Sequence, residues 1–247
     1  MMTNEKQPAR RRGFACKQFF VAHDRCAMKV GTDGVLLGGW APCENARHIL
    51  DIGTGSGLVA LMLAQRSQPD TRIDAVDIDA DAAAQAAENF LASPWEARMR
   101  VFHQDIGEFI RTGPEVRYDL IVSNPPYFAP AVACRDSARE TARYTTSLDH
   151  PQLLQHAAQL ITPDGLLCVV LPYTTGQDFI VAAGEQNWFL HTQIAVSDKP
   201  DTPFHRILIA LSRRPCSAQH RAMSIKTEEG NYSTDFKSFI TGFYLKY

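Results

Sequence analysis

The sequence of 247 residues contains only six cysteines, and no two of them form a CxxC pair. A zinc or other metal site and a disulfide framework are therefore not expected, and reduced thiols in the cytoplasm are the default interpretation. The sequence also lacks an uncharged apolar run of about 18 residues, so no membrane-spanning helix is expected. Its first residues contain no apolar segment followed by a small-residue cleavage site, and we expect no secretory signal.

Neither sign of charge dominates, since the formal net charge is −2, but the charges are distributed unevenly. Residues 1–30 carry a net +5 and residues 199–247 a net +4, whereas residues 31–198 carry −11. Two basic ends could meet a polyanion if the fold brings them to one face. A flexible basic tail on an acidic enzyme would leave the same pattern.

Apolar runs and helix-forming stretches alternate along the chain, in a composition typical of a globular domain. Strands are predicted at His48–Ile52, Arg72–Asp77, Val101–His103, Tyr118–Val122, Gly165–Leu171, Phe189–Val196 and Phe204–Leu211. Helices are predicted at Gly57–Gln65, Ala80–Leu91, Ile106–Arg111, Pro151–Ile161 and Gly176–Asn187. This order predicts an α/β fold: a Rossmann-like, doubly wound, mostly parallel seven-stranded sheet with a C-terminal antiparallel hairpin.

A glycine-rich turn follows the first predicted strand, with Asp51 before Gly53, Gly55 and Gly57. Glycines there permit positive φ and let a ligand approach the backbone beside the positive end of a helix. The GxGxxG fingerprint of dinucleotide-binding proteins would require a glycine at position 58, which is Leu58. A plain glycine-rich turn without a ligand would show the same spacing.

Carboxylates stand at the ends of the next two predicted strands. Asp77 is placed to accept hydrogen bonds from both ribose hydroxyls of a nucleoside cofactor. Asp79 and Asp81 follow it and could equally cap the next helix. Asp105 could accept from the exocyclic amine of an adenine that packs on Ile106, although an aspartate before a helix is also a common N-cap.

The motif Asn124-Pro125-Pro126-Tyr127 follows the fourth predicted strand directly. Two prolines restrict this backbone, and Pro125 has no N–H but keeps a carbonyl acceptor. The Asn124 side-chain oxygen and the Pro125 carbonyl could together accept both hydrogens of a planar –NH2 group. Tyr127 offers a flat face for a stacked base. A proline loop that merely closes the strand is the alternative.

DxGxGxG, the acid at the second strand end and NPPY, in this order, resemble the class I S-adenosylmethionine-dependent methyltransferases. In that class NPPY marks enzymes that methylate an exocyclic or amide nitrogen. Residues 28–40 (MKVGTDGVLLGGW) resemble the N-terminal motif of the bacterial tRNA1(Val) (adenine(37)-N6)-methyltransferases, in which this segment closes over the cofactor. A helix whose N-cap is Thr32 or Asp33 would explain the same segment. The resemblance runs over most of the chain.

The resemblance implies S-adenosylmethionine-dependent N6-methylation of adenosine 37 in the anticodon loop of valine tRNA, with S-adenosylhomocysteine as product. The implied catalytic residues are Asn124, Pro125, Pro126 and Tyr127. The implied cofactor-binding residues are Lys29, Thr32, Asp33, Asp51, Gly53, Gly55, Gly57, Asp77, Ile78, Asp105, Ile106 and Asn124. For the tRNA we expect contacts from Arg10, Arg11, Arg12, Lys17, Lys29, Phe128, Arg213, Arg214, Lys226 and Lys237.

We expect three parts in the chain: a basic extension with the cofactor-closing segment at 1–45, a methyltransferase core at 46–215, and a basic segment at 216–247 packed on the core. Methylation of another RNA or DNA base, or of a protein glutamine amide, remains an alternative because NPPY is shared with those enzymes. A binding module that kept the pocket without catalysis is a second alternative. An NAD-dependent oxidoreductase is disfavoured by Leu58.

Overall fold

The computed structural model describes residues 12–26, 29–114, 116–125 and 148–246. Its strands are β1 (Gly13–Ala15), β2 (Phe20–Ala22), β3 (His48–Ile52), β4 (Arg72–Asp77), β5 (Met99–His103), β6 (Tyr118–Ser123), β7 (Ile161–Pro172), β8 (Phe189–Ser197), β9 (Phe204–Ser212) and β10 (Gln219–Ser224). Its α-helices are α1 (Thr32–Trp40), α2 (Leu58–Arg66), α3 (Ala80–Leu91), α4 (Ile106–Arg111), α5 (His150–Leu160), α6 (Tyr173–Glu185) and α7 (Thr234–Ile240).

The main sheet of the described residues has eight strands in the order β10-β8-β9-β7-β6-β3-β4-β5. Only β9 runs antiparallel to its neighbours, β7 and β8. The α/β, mostly parallel fold is therefore confirmed, with one strand more than the seven expected. The additional strand is β10, which pairs parallel to β8, so the antiparallel pair β8–β9 is not the last part of the sheet. Most residues of β10 are exposed, and its sequence therefore lacks the apolar alternation by which a strand is recognised.

Helices cover both faces of the sheet, as a doubly wound fold requires. One apolar layer joins the sheet to α1, α2, α3 and α7, and it contains Leu36, Leu61 and Phe236. The other layer joins the sheet to α4, α5 and α6, and it contains Phe109, Leu154 and Phe179. With both faces covered, the central strands are mostly apolar and buried, as in β6, where five of six residues are buried.

The chain reverses its direction of winding at β3. It passes from β3 to β4 and β5 on one side, and then returns to β6 on the other side of β3. Strands β3, β4, β5 and β6 are mutually parallel, so their carboxyl ends lie at one edge. In open α/β sheets, ligands bind in the crevice at such a switch point. The fold therefore predicts a site at the ends of β3 and β6.

The two basic ends of the chain pack against each other. The Lys17 backbone N–H donates to the Phe243 carbonyl at 2.8 Å, and its Nζ donates to the Thr241 carbonyl at 2.7 Å. The ring centroids of Phe14 and Tyr244 are 5.4 Å apart. The hairpin β1–β2 and the segment after α7 thus form one surface, which brings parts of the two basic ends together.

Candidate active site

A cavity of about 260 Å³ opens at the carboxyl edge where β3, β4, β5 and β6 end. Its lining residues are Cys26, Ile52, Gly53, Gly55, Val76, Asp77, Ile78, Asp79, Ala82, Gln104, Asp105, Ile106, Ser123, Asn124, Pro125 and Leu148. Most of them are the last residues of a parallel strand or the first residues after it. The topological switch point and the cavity therefore coincide.

The turn after β3 adopts positive φ at Gly53 (72°), Gly55 (57°) and Gly57 (79°). A Cβ at Gly53 or Gly55 would meet no atom within 4 Å, and both residues line the cavity. A Cβ at Gly57 would lie 2.5 Å from the Phe90 ring. The first two glycines thus leave open space beside the backbone, whereas Gly57 allows α2 to pack closely against α3.

Asp51 stabilises the glycine turn from inside the protein. It is buried, and its Oδ2 accepts a hydrogen bond from the Thr54 hydroxyl at 2.7 Å. Burial raises the pKa of Asp51 to about 7, and the nearby charge of Asp77 raises it further, while the Thr54 hydrogen bond opposes the shift. Asp51 and Gly57 are not among the residues that line the cavity.

Asp77 lines the cavity with both carboxylate oxygens held by backbone amides. Oδ1 accepts from the Asp79 N–H at 2.9 Å, and Oδ2 accepts from the Gly55 N–H at 2.7 Å. Burial raises the pKa of Asp77, and these two hydrogen bonds lower it in part. Each oxygen keeps a second acceptor position for a hydroxyl group. Its neighbour Ile78 lines the cavity with a half-exposed side chain.

The helix-capping alternative applies to two of the acidic residues. Asp79 is the N-cap of α3, where it accepts from the Asp81 and Ala82 N–H groups. Asp105 is the N-cap of α4, and its Oδ1 accepts from the Gly107 N–H at 2.9 Å. Asp79 and Asp105 also line the cavity, so a cap role and a cavity position are combined in both.

Gln104 was not singled out from the sequence, although it immediately precedes Asp105. It is the residue directly after β5 and lines the cavity. Its Oε1 is buried and has no hydrogen-bond partner in the structure. A buried amide oxygen without a partner costs free energy unless a ligand supplies a donor. Its position at a strand end, next to a candidate carboxylate, is the signal that could have identified it.

Asn124 and Pro125 line the cavity directly after β6. The preceding Ser123 donates its hydroxyl hydrogen bond to the Ile52 carbonyl at 2.8 Å, which joins the ends of β6 and β3. The two candidate acceptors therefore follow a strand end that is hydrogen-bonded to the base of the glycine turn. The expected positions Pro126, Tyr127 and Phe128 lie outside the described residues.

The start of α1 does not follow the alternative in which Thr32 or Asp33 is the N-cap of the helix. The N-cap of α1 is Gly31, and no side chain caps the helix, so neither Thr32 nor Asp33 has that role. Asp33 instead accepts a hydrogen bond from Arg206 Nε on β9 at 2.8 Å. Lys29, Thr32 and Asp33 do not line the cavity.

Of the described residues before α1, Cys26 is the one that lines the cavity, and no feature of the sequence pointed to it. Burial raises the pKa of its thiol to about 11, and the charges of Asp77, Asp79, Asp24 and Asp81 raise it further. The thiol is therefore protonated at neutral pH, which excludes a thiolate nucleophile here.

The expected RNA-contacting residues fall into three places. Arg12, Lys17 and Lys237 belong to the surface where the two ends meet or to α7, which leads into it. Lys226 lies at the carboxyl edge, where it pairs with Asp198 at 3.2 Å, and Lys29 precedes α1. Arg213 and Arg214 follow β9 at the opposite edge, because β9 is antiparallel to β7. Arg10, Arg11 and Phe128 lie outside the described residues.

Both arginines after β9 have intramolecular contacts. Arg213 donates to the carbonyl oxygens of Gln186 and Asn187, and its guanidinium lies 5.0 Å from the Trp188 ring centroid. Arg214 pairs with Asp164. Both side chains therefore have partners within the protein, and their positions need no bound RNA to explain them.

Within the described ranges, no group of three or more His, Cys, Asp or Glu side chains is arranged to hold a metal ion. Among the helices of that part of the chain, none combines the length and the apolar character needed to span a bilayer.

Comparison with known proteins shows similarity in sequence to a methyltransferase family and similarity in fold to solved methyltransferase structures. The family model of the methyltransferase small domain matches residues 36–184. A tRNA1(Val) (adenine(37)-N6)-methyltransferase of Yersinia enterocolitica is 55% identical over 235 residues, which cover 95% of this chain and 93% of that protein. The protein of the same name from Photorhabdus laumondii is 54% identical over 98% of this chain and 99% of its own length.

Solved structures share the fold at low sequence identity. A predicted O-methyltransferase of Agrobacterium tumefaciens has a TM-score of 0.67 at 16% identity, covering 85% of this chain and 96% of that one. A 16S rRNA N2 G1207 methyltransferase of T. thermophilus, in complex with AdoMet and guanosine, has a TM-score of 0.56 at 18% identity. The alignment covers 84% of this chain and 52% of that structure.

Proposed function

We propose that this chain, which belongs to the family of tRNA1(Val) (adenine(37)-N6)-methyltransferases, transfers a methyl group from S-adenosylmethionine to N6 of adenosine 37 in valine tRNA. The observation that carries the proposal is the position of Asn124 and Pro125 on the wall of the switch-point cavity. The product of the donor is S-adenosylhomocysteine. A tRNA-modifying enzyme of this kind works in the cytoplasm.

The cavity fits the adenosylmethionine group on three observations. Gly53 and Gly55 leave space that a Cβ would fill. Asp77 presents a carboxylate that two backbone amides hold in place, which suits the ribose hydroxyls. Gln104 brings a buried oxygen without a partner, which suits the adenine amine. These residues would hold the nucleoside half of the cofactor at the ends of β4 and β5.

The remaining chemistry concerns the adenine amine, which is a poor nucleophile because its lone pair is delocalised into the ring. When bound, S-adenosylmethionine supplies a methyl group activated by a sulfonium. The Asn124 side-chain oxygen and the Pro125 carbonyl would each accept a hydrogen bond from one of the two N–H groups of the amine. Both acceptors favour a pyramidal nitrogen and stabilise the positive charge that develops on it as the N–C bond forms and the C–S bond breaks.

No strong general base is needed, because the amine becomes acidic once it carries the methyl group and can release its proton to water. The protein mainly has to hold amine and methyl carbon in line. The hydrogen bond from Ser123 to Ile52 supports that requirement, since it ties the strand carrying the acceptors to the strand carrying the glycine turn. Pro126 would stiffen the loop, and Tyr127 and Phe128 would stack on the extruded base.

For the tRNA backbone we propose the surface formed by the two joined ends of the chain. Arg12, Lys17 and Lys237 belong to it or adjoin it, and Arg10 and Arg11 immediately precede it in sequence. Its contribution is electrostatic and should therefore depend on salt. Because Arg213 and Arg214 lie at the edge opposite the cavity and have intramolecular partners, we expect little from them in RNA binding.

The test is transfer of an isotopically labelled methyl group to unmodified valine tRNA, followed by nucleoside mass spectrometry. We expect one labelled N6-methyladenosine per tRNA, located at position 37. A matched tRNA with guanosine at position 37 should receive no label. Label in another nucleoside, or in a protein glutamine of a cell extract and not in the tRNA, would contradict the proposal.

A further inference from the structure

Two aromatic side chains outside the cofactor cavity are in contact at the same edge of the sheet. The ring centroids of Tyr173 and Phe204 are 5.3 Å apart, with 39° between the ring planes. Phe204 is 42% exposed, and Tyr173 packs its inner side against the apolar layer of α5 and α6. The pair therefore presents an aromatic surface to solvent from a supported position.

The strand register places this pair on the same edge of the sheet as the candidate acceptors, to one side of them and further out along the strand direction. Ser123 at the end of β6 pairs with Val169 on the parallel strand β7, which continues to Pro172 and leads directly into Tyr173. Phe204 begins the antiparallel β9 next to the end of β7. Neighbouring strands lie about 4.8 Å apart, so β9 lies about 10 Å to the side of β6. Because Arg206 pairs with Pro172, Phe204 also stands about five residues, or roughly 16 Å, beyond the level of Ser123 along the strand direction.

Charge favours an approach of RNA from this side of the cavity. On the other side, the carboxylates of Asp24, Asp77, Asp79 and Asp81 act together on Cys26 and raise its pKa. Phosphate groups are repelled by such a concentration of negative charge. The segments that carry the aromatic pair, 173–177 and 204–207, contain no acidic residue themselves, although Asp178 and Asp201 lie close to them in sequence. Asp33, which contacts the second segment, is paired with Arg206.

We propose that Tyr173 and Phe204 form a stacking platform for a nucleotide that neighbours the target adenosine in the tRNA loop. The proposal rests on the proposed function, for which it names the surface that receives the flanking RNA. A base that turns out of the loop leaves its neighbour without one stacking partner. Single-stranded RNA loops are commonly bound by aromatic side chains that replace such a partner, without reading the sequence.

The experiment uses the full chain and an anticodon stem-loop RNA that carries 2-aminopurine at the nucleotide on either side of adenosine 37. Stacking on the platform should quench the 2-aminopurine fluorescence at one of these two positions when the wild-type chain binds. Phe204→Ala should abolish this quenching and raise the KM for the RNA by about 5- to 150-fold, the range measured for loss of one base–aromatic stack. Cofactor affinity, measured by calorimetry with S-adenosylhomocysteine, should not change.

Two further variants separate stacking from general effects. Phe204→Trp keeps an aromatic face and should restore both the quenching and the KM. Phe189→Ala is the matched control, because Phe189 is 37% exposed but begins β8 at the opposite edge of the sheet, where it pairs with Ser212. It should behave as the wild type.

If Phe204→Ala shows the same quenching and the same KM as the wild type, the platform proposal is overturned. Methyl transfer by the same variant would at the same time uphold the proposed function. An equal loss in Phe189→Ala would also overturn the platform proposal. A wild-type chain that transfers no methyl group to this RNA would instead overturn the proposed function, and the platform with it.

Discussion

Replacing Gly57 or Gly55 by alanine separates the two roles of the glycine turn, which are close packing of α2 against α3 and open space for a ligand in the cavity. Both residues have positive φ, which costs an alanine about 1–2 kcal/mol. At Gly57 the new methyl group would also lie 2.5 Å from the Phe90 ring, and overpacking of this kind costs about 1–3 kcal/mol more. Gly55→Ala meets no atom within 4 Å and should cost the backbone strain alone.

For a domain of this size, 1 kcal/mol lowers Tm by about 2–4 °C. Gly57→Ala should therefore lower Tm by roughly 4–20 °C, and Gly55→Ala by roughly 2–8 °C. The order reverses for ligand binding, because Gly55 lines the cavity and Gly57 does not. Filling that space should weaken S-adenosylhomocysteine binding by about 5- to 150-fold in Gly55→Ala, taking 1–3 kcal/mol for overpacking.

Thermal unfolding followed by circular dichroism gives the first ranking, and calorimetric titration of the folded variants gives the second. The reasoning would be refuted if Gly57→Ala bound S-adenosylhomocysteine more weakly than Gly55→Ala, or if the two variants showed the same decrease in Tm.

Three other perturbations have defined outcomes. The pKa of Asp51 is raised to about 7 from an ordinary value of 3.8, so the folded chain holds a proton that the unfolded chain has lost. Between about pH 4 and pH 7 the free energy of unfolding should therefore fall as pH rises, by up to about 1.4 kcal/mol per pH unit, and urea titrations of Asp51→Asn should lack this slope. A double-mutant cycle of Asp33→Asn and Arg206→Gln should give a coupling of about 0.5–3 kcal/mol in the free energy of unfolding, and strictly additive effects would exclude the pair as a link between α1 and β9. Reversing the charge of Arg10, Arg11 and Arg12 should weaken tRNA binding and flatten its salt dependence with cofactor affinity intact, and unchanged RNA affinity in a filter-binding titration would remove this segment from the interface.

Much of the architecture could be predicted because local pattern and topology agree. Alternating apolar strands and helices require a mostly parallel sheet, and parallel strands bring their carboxyl ends to one edge. Asp77, Asp105 and Asn124 stand at or just after the ends of three different strands, and they line one cavity in the structure. Their common location follows from the direction of the strands and needs no knowledge of side-chain packing.

What could not be predicted depends on long-range contacts. Cys26 reaches the cavity because the N-terminal segment packs on α3, where the Ala22 N–H donates to the Asn89 side chain at 3.0 Å. No local pattern encodes that contact. The position of Arg213 and Arg214 could have been predicted from the sequence, since a strand antiparallel to its neighbours must end at the far edge of the sheet. Counting charges along the chain ignores this consequence of strand direction.

The amine-clamp account is tested most directly by Asn124→Ala, which removes the side-chain acceptor and leaves the Pro125 carbonyl and the rest of the cavity wall in place. Single-turnover methyl transfer to valine tRNA and calorimetric titration with S-adenosylhomocysteine should be measured on the same preparation. We expect methyl transfer to be lost while the cofactor binds with wild-type affinity. Substantial turnover by this variant would show that the amine is activated without the Asn124 oxygen and would contradict the mechanism.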